Sequence, residues 1–103
     1  MSPREELVPD RSRRLLPEPA REPLIRIYIH NDNVTPMEFV VHQLVTIFLL
    51  PAPNAEYVMY TAHLIGSAYV QTLPAPEARR RVNRARFAAR LRSYPLQFSM
   101  EPE

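Results

Sequence analysis

The hydrophobic pattern of this chain changes period from element to element. Leu24, Ile25, Ile27 and Ile29 sit among Arg26, Tyr28 and His30, the two-residue alternation of a strand with one buried face. Thr35-Pro36-Met37-Glu38 then reads as a capping box: the Thr35 hydroxyl accepts from the Glu38 amide, Glu38 reaches back, and Pro36 has no donor to waste. A helix is predicted from there to about Leu50, where Pro51 stops it. It is apolar on nearly every face except the row Glu38, His42, Thr46, so heavy burial is expected. A second helix is predicted from about Pro53-Asn54 to just before Gly66, the only glycine in the chain and well placed to end a helix. Ala68 to Leu73 reads as a short strand. Pro74 and Pro76 lead into a third helix, Glu77 to about Arg92, whose Ala78, Val82, Ala85 and Ala89 form a stripe that lets a backbone approach a sheet closely. Phe87 and Leu91 fall off that stripe. Pro95 to Met100 is the last predicted strand. The order β-α-α-β-α-β implies an α+β sandwich, a small antiparallel three-stranded sheet packed with three helices.

Length and composition narrow this further. The 103 residues allow one domain. Residues 1–23 mix Pro, Arg and Glu with few large apolar side chains, too little to offset ordering entropy, and are expected to form a flexible tail ahead of a core domain at 24–103. With no cysteine there are no disulfides and no thiolate metal sites. MSPREELVPDRSRR lacks a signal-peptide core. The most apolar window, FVVHQLVTIFLL, is too short to span a bilayer, so a soluble, cytoplasmic protein is expected. His30 and His42 have no partner at metal-ligand spacing and read as surface or structural residues. No glycine-rich phosphate loop, paired carboxylates or cysteine nucleophile is present, which argues against an enzyme and against a cofactor. All 13 basic residues are arginine. In ARRRVNRARFAARLR they wrap around the helix instead of forming one stripe, which favours a solvated exterior over a nucleic-acid interface.

The candidate chemistry lies in HNDNVTPMEFV, residues 30–40. Asn31 and Asp32 offer a carbonyl and a carboxylate at a strand end, beside the apolar first helix. Acceptors next to an apolar hollow suit a ligand that is cationic at one point and greasy beside it. A peptide N-terminus has that form: its α-amino group, with a pKa of about 7.7–8.0, is mostly protonated at neutral pH, and its first side chain leaves the same carbon. His63, if neutral, adds a third acceptor. The alternative for Asn31 to Asn33 is a plain Asx turn.

NDNVTPMEFVV, MYTAH and YPLQFSMEPE together resemble the ClpS family of protease adaptors, without insertions from about Leu24 to Glu103. The resemblance implies recognition of bulky hydrophobic N-terminal residues of substrate proteins and their delivery to the N-terminal domain of a Clp-type AAA+ ATPase, ClpA- or ClpC-like. It assigns Asn31, Asp32 and His63 to the α-amino group. Thr35, Met37, Val40, Ala62 and Leu96 are assigned to the side-chain pocket, with Met37 as its adaptable gate.

The chain also departs from the family pattern. Asn33 replaces a second acidic residue and Val34 an aromatic, leaving Asp32 to carry the local negative charge. Ala62 replaces a larger β-branched residue, which implies a deeper pocket favouring aromatics. QTLPAPEARRRVNRAR replaces the usual docking segment and leaves Glu77 and Arg81 as the acidic and basic candidates for partner contact. A ClpS-like interaction module without amine recognition is the competing reading.

Overall fold

The computed structural model of the protein describes residues 22–103. The predicted tail therefore lies, for residues 1–21, outside the described residues. Six elements follow: β1 (Leu24–His30), α1 (Met37–Thr46), α2 (Ala52–Ile65), β2 (Ser67–Pro74), α3 (Ala75–Leu91) and β3 (Gln97–Pro102). The strands form one antiparallel sheet in the order β2-β1-β3, with the first strand central. Helices cover one face, giving the expected α+β sandwich.

The alternation of β1 places Ile27 and Ile29 in the core and leaves Tyr28 and His30 half-exposed on the outer face. There Tyr28 meets Tyr69 edge-on, and the His30 Nε2 lies 2.8 Å from the Ser99 hydroxyl. On β2 the register skips a residue: Ile27 faces Gln71 while Tyr28 faces Tyr69, so Val70 is an extra residue in the ladder. A one-residue bulge reverses the side-chain parity beyond it. Ala68 and Val70 point inward before it. Gln71 follows as the partner of Ile27, and its amide donates to the Phe48 carbonyl at 3.0 Å.

Small side chains set the distance between α3 and the sheet. Ala78, Val82, Ala85 and Ala89 are all fully buried, as the stripe predicts, whereas Phe87 and Leu91 are exposed.

Two expectations fail locally. The first helix ends at Thr46 instead of near Leu50. Leu49 takes a left-handed φ of 60°, and the Leu50 amide bonds back six residues to the Leu44 carbonyl at 3.0 Å, a wide left-handed reversal that closes the helix end. That turn drops Phe48 into the core, fully buried against Phe98. The capping box does not form either. Pro36 is the N-cap residue, its carbonyl accepts from the Phe39 and Val40 amides, and no side chain caps the helix. Thr35 lies outside the helix and bonds elsewhere.

Gly66 ends α2 as expected, with φ 112° and its amide on the Ala62 carbonyl at 2.8 Å. An added Cβ there meets no atom within 4 Å, so the penalty for alanine is purely one of backbone conformation, at least about 1 kcal/mol. Gly66→Ala is expected to lower the thermal midpoint by several degrees. An unchanged midpoint in a melting curve would show that this backbone is not strained for other residues.

Candidate functional site

A hydrogen bond beside the end of the β1–β2 ladder ties the two halves of the site together. Where β1 ends, the Asn31 amide donates to the Gly66 carbonyl at 2.9 Å. Because Gly66 closes α2, this bond sets Asn31 beside the last helical turn, which carries Ala62 and His63.

The next residue organises the loop. Asp32 Oδ1 accepts from the Val34 amide at 2.8 Å and the Thr35 amide at 2.6 Å, while Oδ2 accepts from the Thr35 hydroxyl at 2.8 Å. This is the Asx turn of the competing reading, and it explains why Thr35 is unavailable for capping: its hydroxyl is spent as a donor to Asp32. Turn and rim are roles of the same carboxylate. Partial burial pulls the Asp32 pKa upward, but the Thr35 and Val34 amides and the Thr35 hydroxyl outweigh it, and the net direction is below the ordinary 3.8. Asp32 is thus anionic at neutral pH.

Behind this rim lies a narrow hollow, a cavity of about 20 Å³ with a partly open mouth, room for about one water molecule until its lining gives way. Asn31, Asp32, Thr35, Met37, Val40, Ala62, His63 and Leu96 all line it. The eight positions named from the sequence therefore meet at one place. The floor is apolar: Val40, Ala62 and Leu96 are buried, and Met37 stands at the edge, 39% exposed. Ile29, His30 and Met59 also line the hollow and were not anticipated. Met59 stands three residues before Ala62 and four before His63, on the same helical face, and that spacing is the signal that would have found it. Asn33 and Val34 are exposed and outside the lining, so of the departures from the family pattern only Ala62 alters the hollow's walls.

The donor and acceptor count is specific. An ammonium has three N–H donors, and a carboxylate about four acceptor positions. Three of those on Asp32 are taken by the turn. The remaining one, with the Asn31 side-chain carbonyl and an unprotonated His63 nitrogen, makes three. Among the described residues no three His, Cys, Asp or Glu side chains cluster as metal ligands do.

Glu77 and Arg81 lie elsewhere, in the first turns of α3. Arg81 Nε donates to Glu77 at 2.6 Å, and Arg80 also pairs with Glu77. Arg81 further reaches the Phe48 carbonyl and the Gln71 side chain, both at 3.3 Å. Its guanidinium is thus held within the fold, and the hydrogen bonds from Arg81 and Arg80 keep the Glu77 carboxyl below its ordinary value.

Fold and hollow together define a small α+β recognition domain with a polar rim and an apolar floor. Residues 20–99 match the family model of the ATP-dependent Clp protease adaptor protein ClpS. The ClpS adapter of Roseobacter denitrificans is 39% identical over 87 residues, covering 84% of this chain and 77% of its own. ClpS 2 of Mesorhizobium japonicum is 37% identical over 87 residues, covering 84% of this chain and 86% of its own. Among solved structures, Agrobacterium tumefaciens ClpS2 bound to L-phenylalaninamide superposes with a TM-score of 0.76 at 34% identity, covering 81% of this chain and all of the other. The chain belongs to the ClpS family, whose members are non-catalytic adaptors of the Clp protease. No helix among the described residues is long and apolar enough to cross a membrane.

Asp32 also carries a stability prediction. Its folded pKa lies below the unfolded value of about 3.9, so its contribution is fully present above that value and is lost as pH falls through the folded one. Asp32→Asn keeps the acceptor for the Val34 and Thr35 amides and removes the titration. Urea unfolding between pH 2 and 6 is expected to show a shallower acid loss in this variant; parallel curves for variant and parent would remove Asp32 from the acid response.

Proposed function

We propose that the hollow binds the N-terminal residue of substrate proteins when that residue is bulky and hydrophobic, and that the chain hands those substrates to a Clp-type AAA+ ATPase of the ClpA or ClpC kind. The carrying observation is the meeting of Asn31, Asp32 and His63 at the mouth of a hollow floored by Val40, Met59, Ala62 and Leu96. The ligand of the Agrobacterium relative has matching chemistry: phenylalaninamide bears an α-amino group and a benzyl side chain on one carbon, as the first residue of a peptide does.

Magnitudes support this assignment. Burying a Leu or Phe side chain contributes roughly 1.5–3 kcal/mol, and each hydrogen bond to a charged group roughly 1.5–3 kcal/mol. Set against an association cost of about 4 kcal/mol or more, one side chain and three such bonds reach micromolar affinity at the upper end, about −8 kcal/mol. Acetylation removes the charge and leaves rim acceptors without a partner.

At the delivery end, we assign the start of α3 as the docking surface. Glu77 is the group a partner's cation reaches, and Arg81, fastened to Phe48 and Gln71, holds it in place.

The test is a fluorescence anisotropy panel of peptides beginning with Leu, Phe, Tyr, Trp, Ala and acetyl-Phe. Free Phe is expected to bind at least about a hundredfold more tightly than acetyl-Phe, the loss of two charged hydrogen bonds. Equal binding of the two would leave a ClpS-like module without amine recognition. The bound amine is stabilised in its charged form, so its pKa rises on binding; on the alkaline side affinity falls as pH rises from the free value of about 7.7–8.0 through the bound value. Asp32→Asn, which removes the charge but not the turn, is expected to cost about tenfold in affinity.

Pocket depth gives a separate prediction. Ala62→Val adds two methyl groups to a buried wall and is expected to weaken Phe and Trp peptides about tenfold while affecting Leu less. Met37→Ala is expected to broaden the range of accepted first residues. An unaltered selectivity profile in both variants would move the side-chain pocket elsewhere.

A further inference from the structure

A second depression adjoins the first and shares a wall with it. Leu96 lines the apolar hollow, and its other side lines an open groove along the free edge of β3, bounded by Arg86, Arg90 and Gln97. No carboxylate is among the residues lining this groove. Arg86 is fixed: it donates to the Phe98 carbonyl at 3.1 Å, on the outer edge of the strand. Four of its five N–H donors remain. Arg90, one helical turn on, is exposed and has no acidic partner among the described residues.

The sheet register sets the distance between the two depressions. His30 pairs with Gln97, so the start of β3 lies beside the rim residue Asn31 at about one strand spacing, ~4.8 Å. The groove lies one further spacing out, on the edge that no strand covers. An extended peptide advances about 3.3–3.6 Å per residue. A chain whose first residue sits in the hollow and that leaves over β3 crosses it within about three residues and brings its third and fourth side chains over the arginines.

We propose that the Arg86–Arg90 groove is a downstream subsite selecting substrates with acidic residues at about positions three and four. This deepens the N-terminal-residue reading and rests on it. Continuity through Leu96 and a groove carrying positive charge only are its two supports. Guanidinium groups match carboxylates bidentately, and Arg90 is the specificity residue because its guanidinium is not engaged within the fold. Exposed pairs of this kind are individually weak and sensitive to salt, so the subsite ranks substrates that already carry an acceptable first residue.

The experiment compares Phe-Ser-Glu-Glu, Phe-Ser-Gln-Gln and Phe-Ser-Lys-Lys peptides of equal length by anisotropy, with the parent protein and Arg90→Gln, at about 50 and 500 mM salt. The acidic peptide is expected to bind about three- to tenfold more tightly than the Gln peptide at low salt, with the Lys peptide weakest and the differences shrinking at high salt. Arg90→Gln is expected to remove most of the acidic preference and leave the Gln peptide unaffected. Equal binding of the acidic and Gln peptides, or a preference that survives Arg90→Gln, would overturn the subsite while leaving first-residue recognition intact. Failure of the Gln peptide to bind in competition with acetyl-Phe controls would overturn the underlying reading and the subsite together.

Discussion

The site depends on the bonds made by one carboxylate. Asp32 folds the loop between β1 and α1 by gathering two amides and a hydroxyl, and this fixes where its remaining acceptor position points. An isolated carboxylate at a strand end would be mobile and fully hydrated, and would have to lose both freedoms on binding a cation. Here the folded loop has already met most of that ordering cost. The partner bond from Asn31 to Gly66 does the same for the second rim group, because it brings a strand end and a helix end, distant in sequence, to one fixed spacing.

Much of this was readable from the chain because local chemistry and tertiary packing agree. The alternation in Leu24–His30, the lone glycine at a helix end and the alanine stripe of α3 each have one cheap solution, and the fold adopts it. Among the eight pocket positions, Asn31, Asp32 and His63 were legible as acceptors beside an apolar hollow and the resemblance added Thr35, Met37, Val40, Ala62 and Leu96; the register of β1 against β3 with the Gly66 closure brings them together. What was not legible involved residues with two competing uses. Thr35 can cap a helix or donate to Asp32, and only the three-dimensional loop decides. Leu49 gives no hint of a left-handed backbone; the burial of Phe48 demands it. The Val70 bulge is hidden because a run of mixed apolar residues fits either parity. The contacts of Arg81 with the Phe48 carbonyl and the Gln71 side chain were not legible either, because they join residues far apart in the chain.

The small residues of α3 and the large ones of the hollow answer one packing constraint. A helix lined with alanine rests close to the sheet, so that layer is thin and filled. Space is left instead where α1, α2 and the start of β3 converge, around Met37, Met59 and Leu96. Thioethers suit such a place because they adapt to what enters. Of the chain's departures from the family pattern, Asn33 and Val34 lie outside the lining and Ala62 alone falls on the hollow's wall.

The central strand also separates two poles. Its first residues lie beside the start of α3, where the Ala75 amide meets the Pro23 carbonyl, and its last residues open into the hollow, about 20 Å away at the usual rise per residue. The stretch entering the domain and the Glu77 carboxylate therefore share one pole, and the rim occupies the other. A partner bound at the first pole would leave the second uncovered, so the two ends of one strand present two surfaces that do not compete for space.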